Sequence, residues 1–310
     1  MAKPANPRFD AAEAITNELV RIIERGTLPW RKPWKAGGST RPLRQNGEAY
    51  QGINNFLLTL RTLMAGHGSP FWMTMPQANA LGGRIRKGEK SVIVVYYGQS
   101  NKQGTETEEA DGDDAGKSHA FRFQKSYRVF NADQIDGLPE RFHPVAVPPP
   151  DHAPCKPIPH MQAFFEAIDI TTVFTGREAY YLPAVDKVYM PEIALFEDPR
   201  AFYGVWAHEL SHATKAKHRL NRDFGHARFG NTAYAREEIV AELTAVFLGQ
   251  ELGFAAHTLE MNASYLEGWA RVLRSDKTAI FRHAADAQRA YDYLVAASRA
   301  GRAGETDRAA

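Results

Sequence analysis

Val205-Trp206-Ala207-His208-Glu209-Leu210-Ser211-His212 is the stretch on which the reading of this chain turns. On a helix, His208 and His212 lie one turn apart on one face, close enough for two imidazoles to grip one Zn²⁺. Glu209, one residue on from the first histidine, faces the water that such a metal holds and is placed to act as a general base. A zinc hydrolase of this kind needs three protein ligands and one open position. Two ligands are in hand, and the third must be brought from elsewhere in the fold.

Downstream, Ala235 to Leu252 reads as one long helix, with Ile239, Leu243, Val246 and Phe247 apolar and close in register. Glu238 and Glu242 lie four apart on it, hence on one face, bordering that apolar stripe. Buried carboxylates need compensation, and a metal with its histidines supplies it. Glu238 is therefore the expected third ligand. Glu242 is the expected acceptor for a ligand histidine's remaining N–H, fixing the ring. His218, His226, His257 and Asp223 stay open as alternative ligands, although none has a supporting partner by spacing. The expected cofactor is one Zn²⁺ per chain. Hydrolysis also requires a donor to the charge that develops in the transition state, for which Tyr180, Tyr181 and Tyr265 are candidates. Upstream, Glu178 to Leu182 and Lys187 to Met190 read as strands joined by Pro183 to Asp186. The second is expected to be an edge strand on which an extended peptide lies.

At 310 residues the chain is long enough for two cores. A hydrophobic content of 44% with 24% charged residues is that of a soluble globular protein. No apolar run reaches the ~18 residues of a membrane span, and the N-terminus lacks the apolar stretch of a signal peptide. Cys155 is the single cysteine, which excludes a disulfide framework and a cysteine-type zinc site within the chain. The expected setting is the cytoplasm, with no membrane partner.

The net charge of +2 conceals an asymmetry: residues 1–100 carry 14 Lys and Arg against six Asp and Glu, a net of +8, and the remainder is −6. Within the basic part, Trp30, Trp34, Tyr50 and Trp72 alternate with Arg31, Lys32, Lys35, Arg41 and Arg44. Asn54 lies among them, and the turn-rich Gly82 to Lys90 adds Arg84, Arg86, Lys87 and Lys90. Aromatic faces for stacking, interleaved with cations for phosphates, point to single-stranded DNA.

The spacing predicts helices over Ala11–Arg25, Asn54–Met64 and, capped by Thr74, up to Ala80. Ser91 to Tyr97 reads as a buried strand pairing with Phe121 to Phe130 across an acidic loop. Seven prolines within 143–159 read as a linker. After it come helices over Met161–Ile168, around His208, over 235–252, Tyr265–Arg274 and Thr278–Ser298, then a frayed tail from Gly301. The expected fold class is α+β. A mixed α/β DNA-binding domain spans 1–142, the linker 143–159, and a zincin-like domain of the gluzincin type 160–310.

Many separate motifs keep the order found in one family. They include Leu28-Pro29-Trp30, Pro33-Trp34, Tyr50-Gln51-Gly52-Ile53-Asn54, Trp72-Met73-Thr74, Lys87-Gly88-Glu89-Lys90 and Arg128-Val129-Phe130-Asn131. In the C-terminal part they include Ala179-Tyr180-Tyr181, Met190-Pro191, the His208–His212 stretch, Arg219-Leu220-Asn221-Arg222, and Glu237-Glu238 with Ala241-Glu242. Over about residues 10–298 the chain resembles the ArdC antirestriction family of conjugative plasmids and mobile elements, and its N-terminal region is similar to TraC-type primases. The resemblance implies a single-stranded-DNA-binding domain followed by a zincin-like metallopeptidase domain that protects incoming DNA from restriction. It implies His208, His212 and Glu238 as metal ligands and Glu209 as catalytic base; the expected partners are single-stranded DNA and a protein substrate left open, the restriction machinery being one candidate. Ala213-Thr214-Lys215 departs from the Trp-Thr-Gly common in relatives, and so bears on the pocket wall beside the metal. Competing readings are a DNA-coating protein with a structural zinc, or a primase accessory.

Overall fold

The periodic apolar residues of the N-terminal part find their places in a computed structural model that describes residues 10–24, 41–100, 121–144, 155–225, 232–254 and 263–309. The Pro-Trp segment at 28–34, the acidic loop at 101–118 and most of the proline-rich linker lie outside the described residues.

Helix α1 (Ala11–Glu24) turns Ile15 and Leu19 inward. After strand β1 (Leu43–Arg44), helix α2 (Gly52–Ala65) buries Ile53, Phe56, Leu57 and Leu60. It stops at Gly66, whose left-handed φ of 71° returns its N–H to the Thr62 carbonyl. Strand β2 (Phe71–Thr74) runs into helix α3 (Met75–Ala80), where Thr74 and Gln77 cap each other reciprocally, as the Thr74 cap anticipates. Strands β3 (Arg84–Ile85), β4 (Val92–Ser100), β5 (Phe121–Asn131) and β6 (Ile135–Asp136) follow. β4 and β5 form the expected antiparallel hairpin, in register from Val92 opposite Val129 to Ser100 opposite Phe121. They complete a four-stranded sheet of order β1-β2-β5-β4, while β3 and β6 pair separately.

Helix α4 (Pro159–Glu166) opens the second half, followed by strands β7 (Thr172–Phe174), β8 (Tyr180–Leu182) and β9 (Lys187–Met190). Their order is β7-β9-β8, with β9 parallel to β7 and antiparallel to β8. β9 is thus the central strand, not the expected edge, because β7 occupies its other side. The exposed edge beside the next helix is β8. Helix α5 (Pro199–Ala213) starts at Asp198, whose carboxylate accepts from Arg200 N, with Pro199 in the first turn. Helices α6 (Thr232–Leu252), α7 (Ala263–Ser275) and α8 (Ala279–Ala309) complete the chain.

From Ala235 to Gln250, α6 is buried on almost every side except at Arg236, which makes it the central helix, packed by α5, α7 and α8. Phe165 of α4 stacks on Trp206 of α5 at 4.9 Å between ring centres, anchoring the metal-facing helix from behind. α1 and α2 pack against α7 and α8, so Ile15, Ile53 and Phe56 share one apolar core with Trp269, Ile280 and Ala284. Thr16 Oγ1 donates to the Lys277 carbonyl and Gly52 N–H to Gln288 Oε1, tying the same elements. The tail expected to fray at Gly301 instead continues α8 to Ala309. Gly301 permits this by lying directly on the Ala167 carbonyl, where a Cβ would come within 2.0 Å of the oxygen.

Candidate metal centre

α5 and α6 carry the groups that the sequence singles out and bring them together. His208 Nε2 and His212 Nε2 lie 3.0 Å apart. Glu238 Oε2 is 3.4 Å from His208 Nε2, and Glu238 Oε1 is 3.6 Å from His212 Nε2. One ligand atom from each of the three residues falls within 4.8 Å of the others, the only such cluster among the described residues. Glu209 is buried on the same helix.

The electrostatics show what the cluster lacks. Burial pulls the His208 pKa down, but Glu242, Glu238 and Glu209 outweigh it and hold it well above the usual value. Burial raises Glu238, yet the two histidines bring it below the ordinary carboxylate range. Glu242 is raised by its burial, and its Oε2 has no hydrogen-bond partner among the described residues. Four buried carboxylates (Glu209, Glu237, Glu238, Glu242) therefore face two imidazoles and the Arg222 guanidinium. A divalent cation among His208, His212 and Glu238 fits both the donor set and this excess of negative charge.

The group that orients His212 is Glu237, which the sequence reading passed over. Glu237 Oε1 lies 3.1 Å from His212 Nδ1, leaving Nε2 to face Glu238. Arg222 in turn grips Glu237 with two donors, at 3.0 and 2.8 Å, and also donates to Ser211 O and Thr214 Oγ1. Burial opposes its ionisation, but His212 and Arg222 hold the Glu237 carboxyl down at about 2. Glu242, expected to orient a ligand histidine, stands 3.8 Å from His208 Nδ1, beyond hydrogen-bond range. The adjacency of Glu237 to Glu238 and the Arg219–Arg222 motif were the available signals.

Tyr181 is drawn away from the expected donor role. Its hydroxyl donates to Asp186 Oδ1 at 2.8 Å, and burial with the Asp186 charge pushes its pKa up to about 12. Arg219 forks onto the same carboxylate at 2.7 and 2.9 Å, so this set clamps the β8–β9 turn to the end of α5. Tyr180 stacks on Tyr189, and the Tyr265 side chain lies outside the described residues. The sequence reading missed Tyr234, one turn before Glu238, which helps to lower the pKa of that carboxyl. Asp223, the alternative ligand, accepts from Gly225 N instead. Of the three departing residues, Ala213 and Thr214 are fully buried, and Lys215 lines a cavity of about 540 Å³ beside Tyr181 and Arg222.

The DNA-binding expectations fare unevenly. Trp30, Arg31, Lys32, Trp34 and Lys35 lie outside the described residues. Trp72 is 0% exposed and Tyr50 7%, so neither offers a free ring face: they pack with Leu58, Val94 and Val129. Asn54 is spent on β4, donating to Val95 O at 2.7 Å and accepting from Val95 N at 2.9 Å. Arg41 reaches Tyr50 O and the Tyr291 hydroxyl, and Arg86 is paired with Glu89 and Asp136. Arg44, Arg84, Lys87 and Lys90 are at the surface.

Two family models match this chain. Residues 9–130 match the family model of the N-terminal domain of anti-restriction factor ArdC, and residues 159–286 match that of a zincin-like metallopeptidase. The metal-free crystal structure of the antirestriction ArdC protein from the R388 plasmid is similar to the whole fold. The TM-score is 0.75 with 38% identity, over 94% of this chain and 98% of that one. The chain belongs to the ArdC antirestriction family. Its Mn(II)-bound ArdC counterpart matches at a TM-score of 0.74 and 37% identity. Uncharacterized protein y4eC of Sinorhizobium fredii is 34% identical over 290 residues, covering 93% of this chain and 92% of that protein. DNA primase TraC of Escherichia coli is 34% identical over 299 residues, but the ArdC-like chain spans only 27% of that longer protein. No helix among the described residues is long and apolar enough to cross a membrane.

Proposed function

We propose that this chain is a DNA-tethered zinc metallopeptidase. Its N-terminal part holds single-stranded DNA, and the centre on α5 and α6 hydrolyses a peptide bond in a protein met on that DNA. It thereby shields entering plasmid or mobile-element DNA from restriction in the recipient cytoplasm. The observation that carries the reading is the largely buried His208–His212–Glu238 cluster, short of positive charge and with Glu209 on the same helix.

Within this reading His208, His212 and Glu238 hold the ion, one Zn²⁺ per chain. Bound there, zinc supplies a Lewis acid and brings the pKa of water towards ~7. Glu209 takes the proton of the attacking water and passes it to the departing amine. Glu237, held by Arg222, keeps the His212 ring in its working orientation, and Glu242 balances charge beside His208. Tyr234, next to Glu238, takes the place of Tyr181 as the candidate donor to developing negative charge. The exposed edge of β8, beside α5, offers backbone groups to an extended peptide.

The test is cleavage of purified restriction subunits, with and without single-stranded DNA, by wild type and Glu209→Gln. Wild type is expected to cut, and the variant to lose cleavage and protection while keeping metal and DNA affinity. Full protection by Glu209→Gln would overturn the peptidase reading and leave masking of DNA as the activity.

A further inference from the structure

On the four-stranded sheet a groove of about 620 Å³ opens, lined among others by Arg44, Gln77, Tyr96, Ser126, Tyr127 and Arg128. Three features set it apart. Tyr96 and Tyr127 are 50% and 44% exposed, although Tyr50 and Trp72 are buried. The pairing of Val94 with Tyr127 and of Tyr96 with Lys125 puts both tyrosines on one side of the hairpin as diagonal neighbours. Finally, no Asp or Glu lines the groove, while Arg44 does.

The floor is rigid. Tyr50, Trp72, Val94 and Val129 pack as one apolar cluster, and Asn54 clamps the backbone of β4 at Val95. The Arg44 guanidinium lies 5.4 Å over the Tyr50 ring and 3.1 Å from Glu48, which fixes it at one wall. Two half-exposed rings on a stiff sheet, with a cation at one wall, are an arrangement that stacks successive bases while holding their phosphates. Duplex DNA does not fit this chemistry, because its base faces are already stacked on one another.

We infer that this groove is the path of single-stranded DNA, with Tyr96 and Tyr127 as stacking platforms and Arg44 as a phosphate contact. The inference rests on the proposed reading that the N-terminal part binds single-stranded DNA. It moves that binding away from Trp72 and Tyr50, which the fold consumes, to two tyrosines that a buried-strand reading of 91–97 and 121–130 hides.

The experiment is fluorescence anisotropy of the full chain with a labelled oligothymidine over a range of salt. Replacing both tyrosines by alanine is expected to weaken binding roughly tenfold or more, and the Tyr96→Phe, Tyr127→Phe pair to retain it. Arg44→Gln is expected to flatten the slope of log K against log salt by roughly 0.7, one single-strand phosphate contact. Thermal melts and metal content confirm that each variant is folded. Wild-type affinity in the folded alanine variant would overturn the groove while leaving DNA binding in place. A preference of the wild type for duplex over single strands would also overturn it. Absence of any wild-type binding would overturn the DNA reading itself.

Discussion

Replacing Glu237 by Gln should weaken both metal binding and the fold, and the two losses can be pulled apart. Glu237 and Arg222 are each buried, with side chains 7% and 6% exposed, and joined by two hydrogen bonds. The folded carboxyl is held at about 2 against an ordinary 4.5. Because the folded value is depressed, its stabilisation is fully present above about pH 4.5 and is lost as pH falls through about 2. That shift corresponds to about 3 kcal/mol. Removing the charge at neutral pH also leaves Arg222 buried without its partner, a loss of about 3–5 kcal/mol. Separately, His212 loses the acceptor at Nδ1, and metal affinity is expected to fall about 10–100-fold. The Glu237→Gln, Arg222→Met double variant removes both charges, and its stability should recover. Its metal affinity should not recover, because the His212 ring remains unanchored. Urea unfolding of the metal-free protein reads the first quantity, and competition with a chromophoric chelator reads the second. Wild-type metal affinity in the double variant would refute the positioning role of Glu237. Wild-type stability in Glu237→Gln would refute the buried pair.

His283 is buried on α8, edge-on to Phe224, with neither ring nitrogen hydrogen-bonded among the described residues. Burial first, then Arg236 and Arg282, lowers its pKa to about 4. The unfolded chain therefore binds a proton that the folded one refuses, and stability should decline by up to about 3 kcal/mol as pH falls from 6.5 to 4. A His283→Leu variant that kept the full slope in this window would contradict the assignment. Gly301→Ala would force a Cβ onto the Ala167 carbonyl, with an expected loss of about 1–3 kcal/mol in chemical unfolding; a neutral result would show that α8 can slide on α4. Trp72→Ala should lower stability by about 3–5 kcal/mol, with DNA affinity in the folded variant falling less than in the Tyr96, Tyr127 alanine pair. A selective loss of DNA binding would return Trp72 to the interface.

The metal cluster was legible because helix geometry is local. The spacing of His208 and His212 settles their shared face, and the pair Glu238 and Glu242 obeys the same rule. Position on α6 then decides which carboxylate does what, and here spacing is a weak guide. Glu237 and Glu238 differ by a rotation of roughly 100° about the helix, and both are buried because α6 is enclosed all round. Choosing between them requires the loop that delivers Arg222, a long-range fact. β7 escaped notice because Thr172-Val173-Phe174 is too short for an alternation to register, and its absence made β9 look like an edge. Trp72 was misread for a different reason. Aromatic and basic composition is the same whether a ring is packed in or faces a ligand, and the register puts Trp72 on the same face as Tyr96 and Tyr127, so only burial distinguishes them.

The most direct measurement is an anomalous difference map at the zinc edge from crystals grown with zinc. One peak is expected per chain, bonded to His208 Nε2, His212 Nε2 and a Glu238 oxygen at about 2.0–2.2 Å, and absent in Glu238→Gln crystals grown alike. A peak of full height in that variant, or one seated on other residues, would contradict the metal centre on which the proposed peptidase activity depends.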